Sequence, residues 1–239
     1  LAYLIIDTSA SHGSVAVWAE GELRRVVSWS SRHNHTSDLM PSVERVVGDS
    51  GLTVADIAGI AVATGPGGFS ALRAGLGAAK GLSFATGAPV VGLSTLEGTA
   101  YPYRSLGFPV CAMIGAGRDL VGFARFRLLD GRWMRRSPDR VSPVARVLAA
   151  SGRHTLFCGE GAATYAAELT EAMGSRAHVA GDEPSLARLR GLAELGAARL
   201  DAGDVDAIAA LQPHYLRPPG ITPPKRPLSV RYGAAPKAR

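Results

Sequence analysis

Residues 3–29 read YLIIDTSASHGSVAVWAEGELRRVVSW, and residues 109–136 read PVCAMIGAGRDLVGFARFRLLDGRWMRR. Each stretch is an apolar run, a polar turn, a second run, an acid–glycine pair and a third run. The pairs are Glu20–Gly21 and Asp130–Gly131. Apolar runs bounded by Gly, Asp or Ser turns form strands, and Asp–Gly is a strong hairpin signal. Both stretches are therefore expected to be three-stranded antiparallel meanders.

After each meander the pattern changes to alternating helices and strands. Residues 37–50 place Leu39, Val43, Val46 and Val47 on one helical face, with Pro41 in the first turns, where proline is tolerated. Thr53 and Asp56 open a short helical turn. A buried strand at 59–64, a helix at 69–85 and a strand at 89–93 follow, and Ser94 with Glu97 forms a capping box. The second half offers a helix near 143–150, a strand at 155–158, and helices at 162–173 and 185–202. A meander followed by such alternation, occurring twice, predicts two related α/β lobes, 1–104 and 105–216, ahead of a basic tail at 217–239.

The chain has 239 residues, 46% hydrophobic and 19% charged, enough for a sizeable core. The N-terminus lacks the basic start of a signal peptide, and Asp7 ends its apolar run. No run approaches the roughly 20 apolar residues of a membrane helix. Cys111 and Cys158 sit far apart in apolar surroundings, which fits a reduced, cytoplasmic chain. The net charge of +6 resides in the tail, where Arg217, Lys225, Arg226, Arg231, Lys237 and Arg239 face no acid. Residues 1–216 carry 20 basic and 20 acidic groups. The proline-rich tail is expected to be disordered, and both an RNA contact and a merely solvated role are open to it.

The turn ATGPGGF (63–69) raises the question of phosphate binding. A phosphate loop needs lysine and a hydroxyl residue after its last glycine, but Phe69, Ser70 and Ala71 stand there. The dinucleotide fingerprint is absent too. Backbone amides at Gly65, Gly67 and Gly68 could hold an anion at the helix start, or the glycines could simply permit a tight turn. Asp7 and Ser9, ending the first strand, could position magnesium or water, or serve only as turn formers. His33 and His35 lack a third ligand and read as loop histidines. There is no Gly-x-Ser-x-Gly elbow. The helix at 69–85 is apolar on two sides: Leu72, Leu76 and Ala79 on one, and Ala74, Ala78, Leu82 and Ala85 on the other. A helix of that kind is expected to be buried twice, once against its own sheet and once against the second lobe or another chain.

IIDTSASHGSVAVW (5–18), RHNHTSDLMPSVERVVGDSGL (32–52), IAVATGPGGFSALRAGLGAAKGL (60–82) and PVVGLSTLEGTA (89–100) together resemble the TsaB (YeaZ) family. The resemblance is close over residues 3–100 and weaker to about 217, where PHYLRPP is again similar. It implies the two-lobed fold of actin, sugar kinases and chaperone ATPases, each lobe a ribonuclease H-like mixed sheet with flanking helices.

The resemblance also implies a noncatalytic scaffold in the synthesis of threonylcarbamoyladenosine in tRNA. Such a chain supports a TsaD-like catalytic paralogue, is joined by a TsaE-like ATPase, and meets tRNA through the complex. ATP and divalent metal are then expected on the partners, and no cofactor here. First-lobe helices would form the interface, at Leu39, Val43, Val46, Leu72, Leu76, Gly77, Ala79 and Lys80, and the lone chain could pair with itself there. The family's Asp-Ala-Arg-like turn reads Gly115–Ala116–Gly117–Arg118 here, so the acid expected at 115 is missing. A glycoprotease-like endopeptidase and a degenerate small-molecule kinase are the enzyme alternatives.

Overall fold

Two sheets of identical strand order account for the duplicated meander. The computed structural model describes residues 1–30, 35–152, 154–181 and 183–216. The first sheet contains β1 (Ala2–Asp7), β2 (His12–Ala19), β3 (Glu22–Ser30), β4 (Ile57–Gly65) and β5 (Val90–Ser94), in the order β3-β2-β1-β4-β5. The meander is antiparallel, and β4 and β5 add to it in parallel. The second sheet repeats the pattern with β6 (Val110–Gly115), β7 (Val121–Leu129), β8 (Arg132–Arg135), β10 (Thr155–Cys158) and β11 (Ala177–Val179), in the order β8-β7-β6-β10-β11. A short β9 (Arg140–Ser142) also pairs with β7.

The Asp–Gly signal holds at the second hairpin, where Asp130 and Gly131 both adopt positive φ. Glu20 and Gly21 do the same in the first. A pair of left-handed residues matches the twist of the flanking strands, so each turn fixes its register.

Helices cover both faces of both sheets. On the first sheet's outer face lie α1 (His35–Gly48) and α2 (Phe69–Thr86). Leu39, Val43 and Val46 of α1 and Leu76 and Ala79 of α2 pack there on Leu4, Ile6, Val15, Val17, Ile60 and Val62. The inner faces share a middle layer of α3 (Thr95–Ala100) and α7 (Pro184–Asp201), which pack on each other. Leu96 and Ala100 of α3 cover Ala112, Ala124 and Phe126 of the second sheet. Leu189, Leu192, Ala193 and Ala197 of α7 cover Ile5, Ala16, Ala61 and Leu93 of the first. Beyond the second sheet lie α4 (Val144–Ala149), α5 (Glu160–Thr164) and α6 (Ala166–Met173).

Two local expectations are corrected, and two short strands are added. The helix expected at 162–173 is two helices, because Tyr165 leaves helical geometry between α5 and α6. The strands β9 and β11 are only three residues long and carry too little periodicity to be seen in sequence. Residues 184–201, expected within the second lobe, instead pack on the first sheet, which binds the lobes through a common core. The expected disorder of 217–239 and the reading of His33 lie outside the described residues.

Candidate functional site

Between the lobes, the chain gathers Asp7 from β1, Glu160 from the start of α5 and Arg188 from α7. The Arg188 side chain is completely buried, as is that of Asp7. Its Nε donates to Asp7 Oδ2 at 2.6 Å, and its Nη1 donates to Glu160 Oε1 at 2.5 Å. The two carboxylates hold the guanidinium pKa well above its ordinary value despite the opposing cost of desolvation. The other oxygen of Asp7 accepts from the Ser9 amide at 2.9 Å and the Ser9 hydroxyl at 2.6 Å. Both carboxylate oxygens are thus committed within the protein. A metal or a reacting water at Asp7 would have to displace a fully desolvated arginine.

The glycine turn that follows β4 also serves the chain itself. A Cβ at Gly67 would run into the Ser9 backbone, and one at Gly65 into the carbonyl of His214. Gly65 has φ +120°, a conformation that side chains disfavour. The Gly68 amide donates to the Ser9 carbonyl at 3.2 Å, so one N–H that would face an anion at the start of α2 faces the neighbouring turn. The His214 amide donates to the Thr64 carbonyl at 2.7 Å, and Tyr215 lies 4.9 Å from the Phe69 ring. Leu216 then reaches the second sheet's core beside Gly122. The glycines let three backbone segments meet, and the closing segment covers the turn.

The residues expected at a partner interface divide into two groups. Leu39, Val43, Val46, Leu72, Leu76 and Ala79 are buried in the first lobe's own core, which corrects their reading as interface residues. Periodicity finds an apolar face but does not tell its own sheet from another chain. Gly77 is exposed with open space where a Cβ would project, and Lys80 is half-buried. The outer surface of α2 runs through Gly77 and Gly81 to Phe84, whose side chain is 91% exposed. Met40 of α1 adds a further exposed apolar side chain.

Nothing in the sequence singles out Arg188 or Glu160, and the His214 segment is marked there only by its resemblance to the family's closing segment. The only pointer to Arg188 is its place on the inward face of α7, three residues after Ser185 and four before Leu192. The buried thiols Cys111 and Cys158 stand on adjacent strands β6 and β10. Burial pushes Cys111 up to about 12, against the opposing pull of Arg125, and raises Cys158 well above the usual thiol range. Neither is poised as a nucleophile. Among the described residues no group of three or more His, Cys, Asp or Glu side chains could hold a metal ion.

Residues 26–198 match the family model described as TsaD, tRNA N6-adenosine threonylcarbamoyltransferase. The chain belongs to the TsaD family and, within it, to the TsaB (YeaZ) group. The Escherichia coli tRNA threonylcarbamoyladenosine biosynthesis protein TsaB is 37% identical over 93 residues, 39% of this chain and 40% of that protein. The chain thus aligns with about two fifths of that relative's length. The Bacillus subtilis protein of the same name aligns over 90% of this chain and 93% of its own length at 26% identity. YeaZ from Pseudomonas aeruginosa superposes with a TM-score of 0.72 at 28% identity, covering 90% of this chain and 99% of that one. The fold is that of the actin, sugar-kinase and chaperone-ATPase group. A 2-hydroxyisocaproyl-CoA dehydratase activator from Clostridium difficile shares it at 12% identity and a TM-score of 0.54 over 87% of this chain and 99% of that one.

Proposed function

We propose that this chain is the noncatalytic scaffold subunit of the assembly that transfers threonylcarbamoyl from its adenylate to adenosine next to the anticodon of tRNA. The observation that carries the reading is the pairing of the interlobe acid Asp7 with the buried Arg188. In this fold the cleft between lobes is where chemistry would sit, and here its carboxylate is neutralised from within. A small-molecule kinase needs that carboxylate free. An endopeptidase needs an activated nucleophile, and both thiols are buried with raised pKa values.

What remains for function is surface. The TsaD-like catalytic paralogue docks on the outer face of α1 and α2, along Met40, Gly77, Gly81 and Phe84. Small residues there let a partner helix approach closely, and Phe84 supplies an apolar anchor. The TsaE-like ATPase and tRNA join through the complex, with ATP and divalent metal held by the partners. Without a partner the same face pairs two copies of this chain. The assembly works in the cytoplasm. Among the described residues no helix is long and apolar enough to cross a membrane.

Reconstitution tests the reading. The purified chain alone should give background tRNA modification and background ATP hydrolysis. Adding it to the TsaD-like subunit and the ATPase should restore threonylcarbamoyl transfer. Robust turnover by the lone chain, abolished in Asp7→Ala, would contradict the proposal.

A further inference from the structure

The first 216 residues are neutral in sum, yet their charge is unevenly placed. Residues 121–150 contain seven arginines and two acids, Asp130 and Asp139. Asp139 is already paired with Arg135 and close to His214. The pairing register sorts the arginines by face. Arg135 lies opposite Phe126 and its guanidinium covers that ring, on the face turned toward α3. The others belong to the opposite face. Alternation along β7 puts Arg125 and Arg127 on the same side as Phe123, which packs under α4. Arg132 lies opposite Leu129, Arg140 opposite Phe123, and the Arg136 amide donates to the Arg125 carbonyl. Arg146 is exposed on α4 above the same face.

Arg125 is held by the Val147 carbonyl at 3.1 Å. Arg127, Arg132, Arg136, Arg140 and Arg146 are all exposed, and among the described residues none has an ion pair or side-chain hydrogen bond. From this placement we propose that the outer face of the second sheet's β7–β8–β9 edge binds an RNA backbone. Arginine forks suit phosphate oxygens, and a row of them positions a strand without reading its bases. A protein partner would call for an apolar centre ringed by polar groups. On this face Met134 is the one large exposed apolar side chain among the described residues, so the surface fits a polyanion better. The proposal rests on the scaffold reading only for which RNA is bound, namely the tRNA undergoing modification.

The test measures binding of labelled, unfractionated tRNA to the full chain across a salt series. Wild type is compared with Arg127→Glu/Arg136→Glu and with a charge-matched control, Arg45→Glu/Arg73→Glu, on the first lobe. The tail is present in all three and cancels. The edge variant should bind at least tenfold more weakly at low salt. Its log–log salt slope should be shallower by roughly 1.4 to 1.8, since each of the two lost phosphate contacts contributes about 0.7–0.9. The control should shift affinity less than threefold. Circular dichroism checks folding, and Arg127→Gln/Arg136→Gln replaces the reversal if that variant fails to fold. Equal weakening by both doubles, or unchanged affinity and slope at the edge, would overturn the proposal. So would polyglutamate binding as tightly as tRNA with the same sensitivity, which would assign the face to an acidic protein. An edge variant that keeps its affinity for the TsaD-like subunit while losing tRNA separates this proposal from the scaffold reading.

Discussion

Arg188 Nε lies 2.6 Å from Asp7 Oδ2 across 181 residues of sequence, and both side chains are fully buried. The same guanidinium reaches Glu160, so one arginine on the shared middle layer ties the first strand to the second lobe. Breaking a buried pair leaves an uncompensated charge, whereas replacing both members by apolar groups can be nearly neutral.

Arg188→Met should therefore cost about 3–5 kcal/mol, with Asp7 left desolvated and unpaired. Asp7→Asn in the same chain should recover a large part of the loss. Urea denaturation of the two single variants and the double variant gives the coupling; strictly additive losses would mean that Asp7 and Arg188 do not stabilise one another.

The glycines predict opposite signs at two positions only ten residues apart. Gly67→Ala pushes a methyl into the Ser9 backbone and should lower stability markedly. Gly77→Ala meets open space within a helix and should raise stability by up to about 1 kcal/mol. Thermal melts decide this. A neutral Gly67→Ala would show that the turn is looser than its contacts imply.

The repeated meander, the turn residues and most helix positions were legible because each rests on local chemistry: periodicity, Asp–Gly pairs and capping residues. The role of α7 was not, since its apolar positions state only that something covers them. The same ambiguity misplaced Leu39, Val43, Val46, Leu72, Leu76 and Ala79 at an interface when they face their own sheet. Arg188 shows the limit most clearly. An arginine on the inward face of a helix signals a buried partner, but Asp7 and Glu160 can be named only once the chain is folded.

Both thiols should be silent in the native state. At pH 8 a disulfide reagent should modify neither Cys111 nor Cys158 until denaturant is added, when both should react. The unfolded chain releases thiol protons near pH 8.5, whereas burial holds Cys111 up to about 12. Tyr3, buried and hydrogen-bonded to Asp201, is likewise raised to about 12. For such groups the unfolded state binds fewer protons, so their stabilisation is complete below pH 8.5 and is lost as pH climbs toward 12. Urea midpoints that stay flat from pH 8 to 10.5 would contradict this account.

On the proposed function, this chain acts by presenting the outer face of α2 to a catalytic paralogue. Gly77→Arg places a bulky charge on that face without touching the core, so the lone chain should keep its circular dichroism spectrum and melt no lower than wild type. Titration of this variant against the TsaD-like subunit, with tRNA modification read in the same mixtures, is the most direct measurement. Binding should be at least tenfold weaker, equivalent to about 1.4 kcal/mol, with a matching loss of threonylcarbamoyl transfer that excess variant restores. A folded Gly77→Arg chain that binds and supports transfer like wild type would place the interface elsewhere and contradict the proposal.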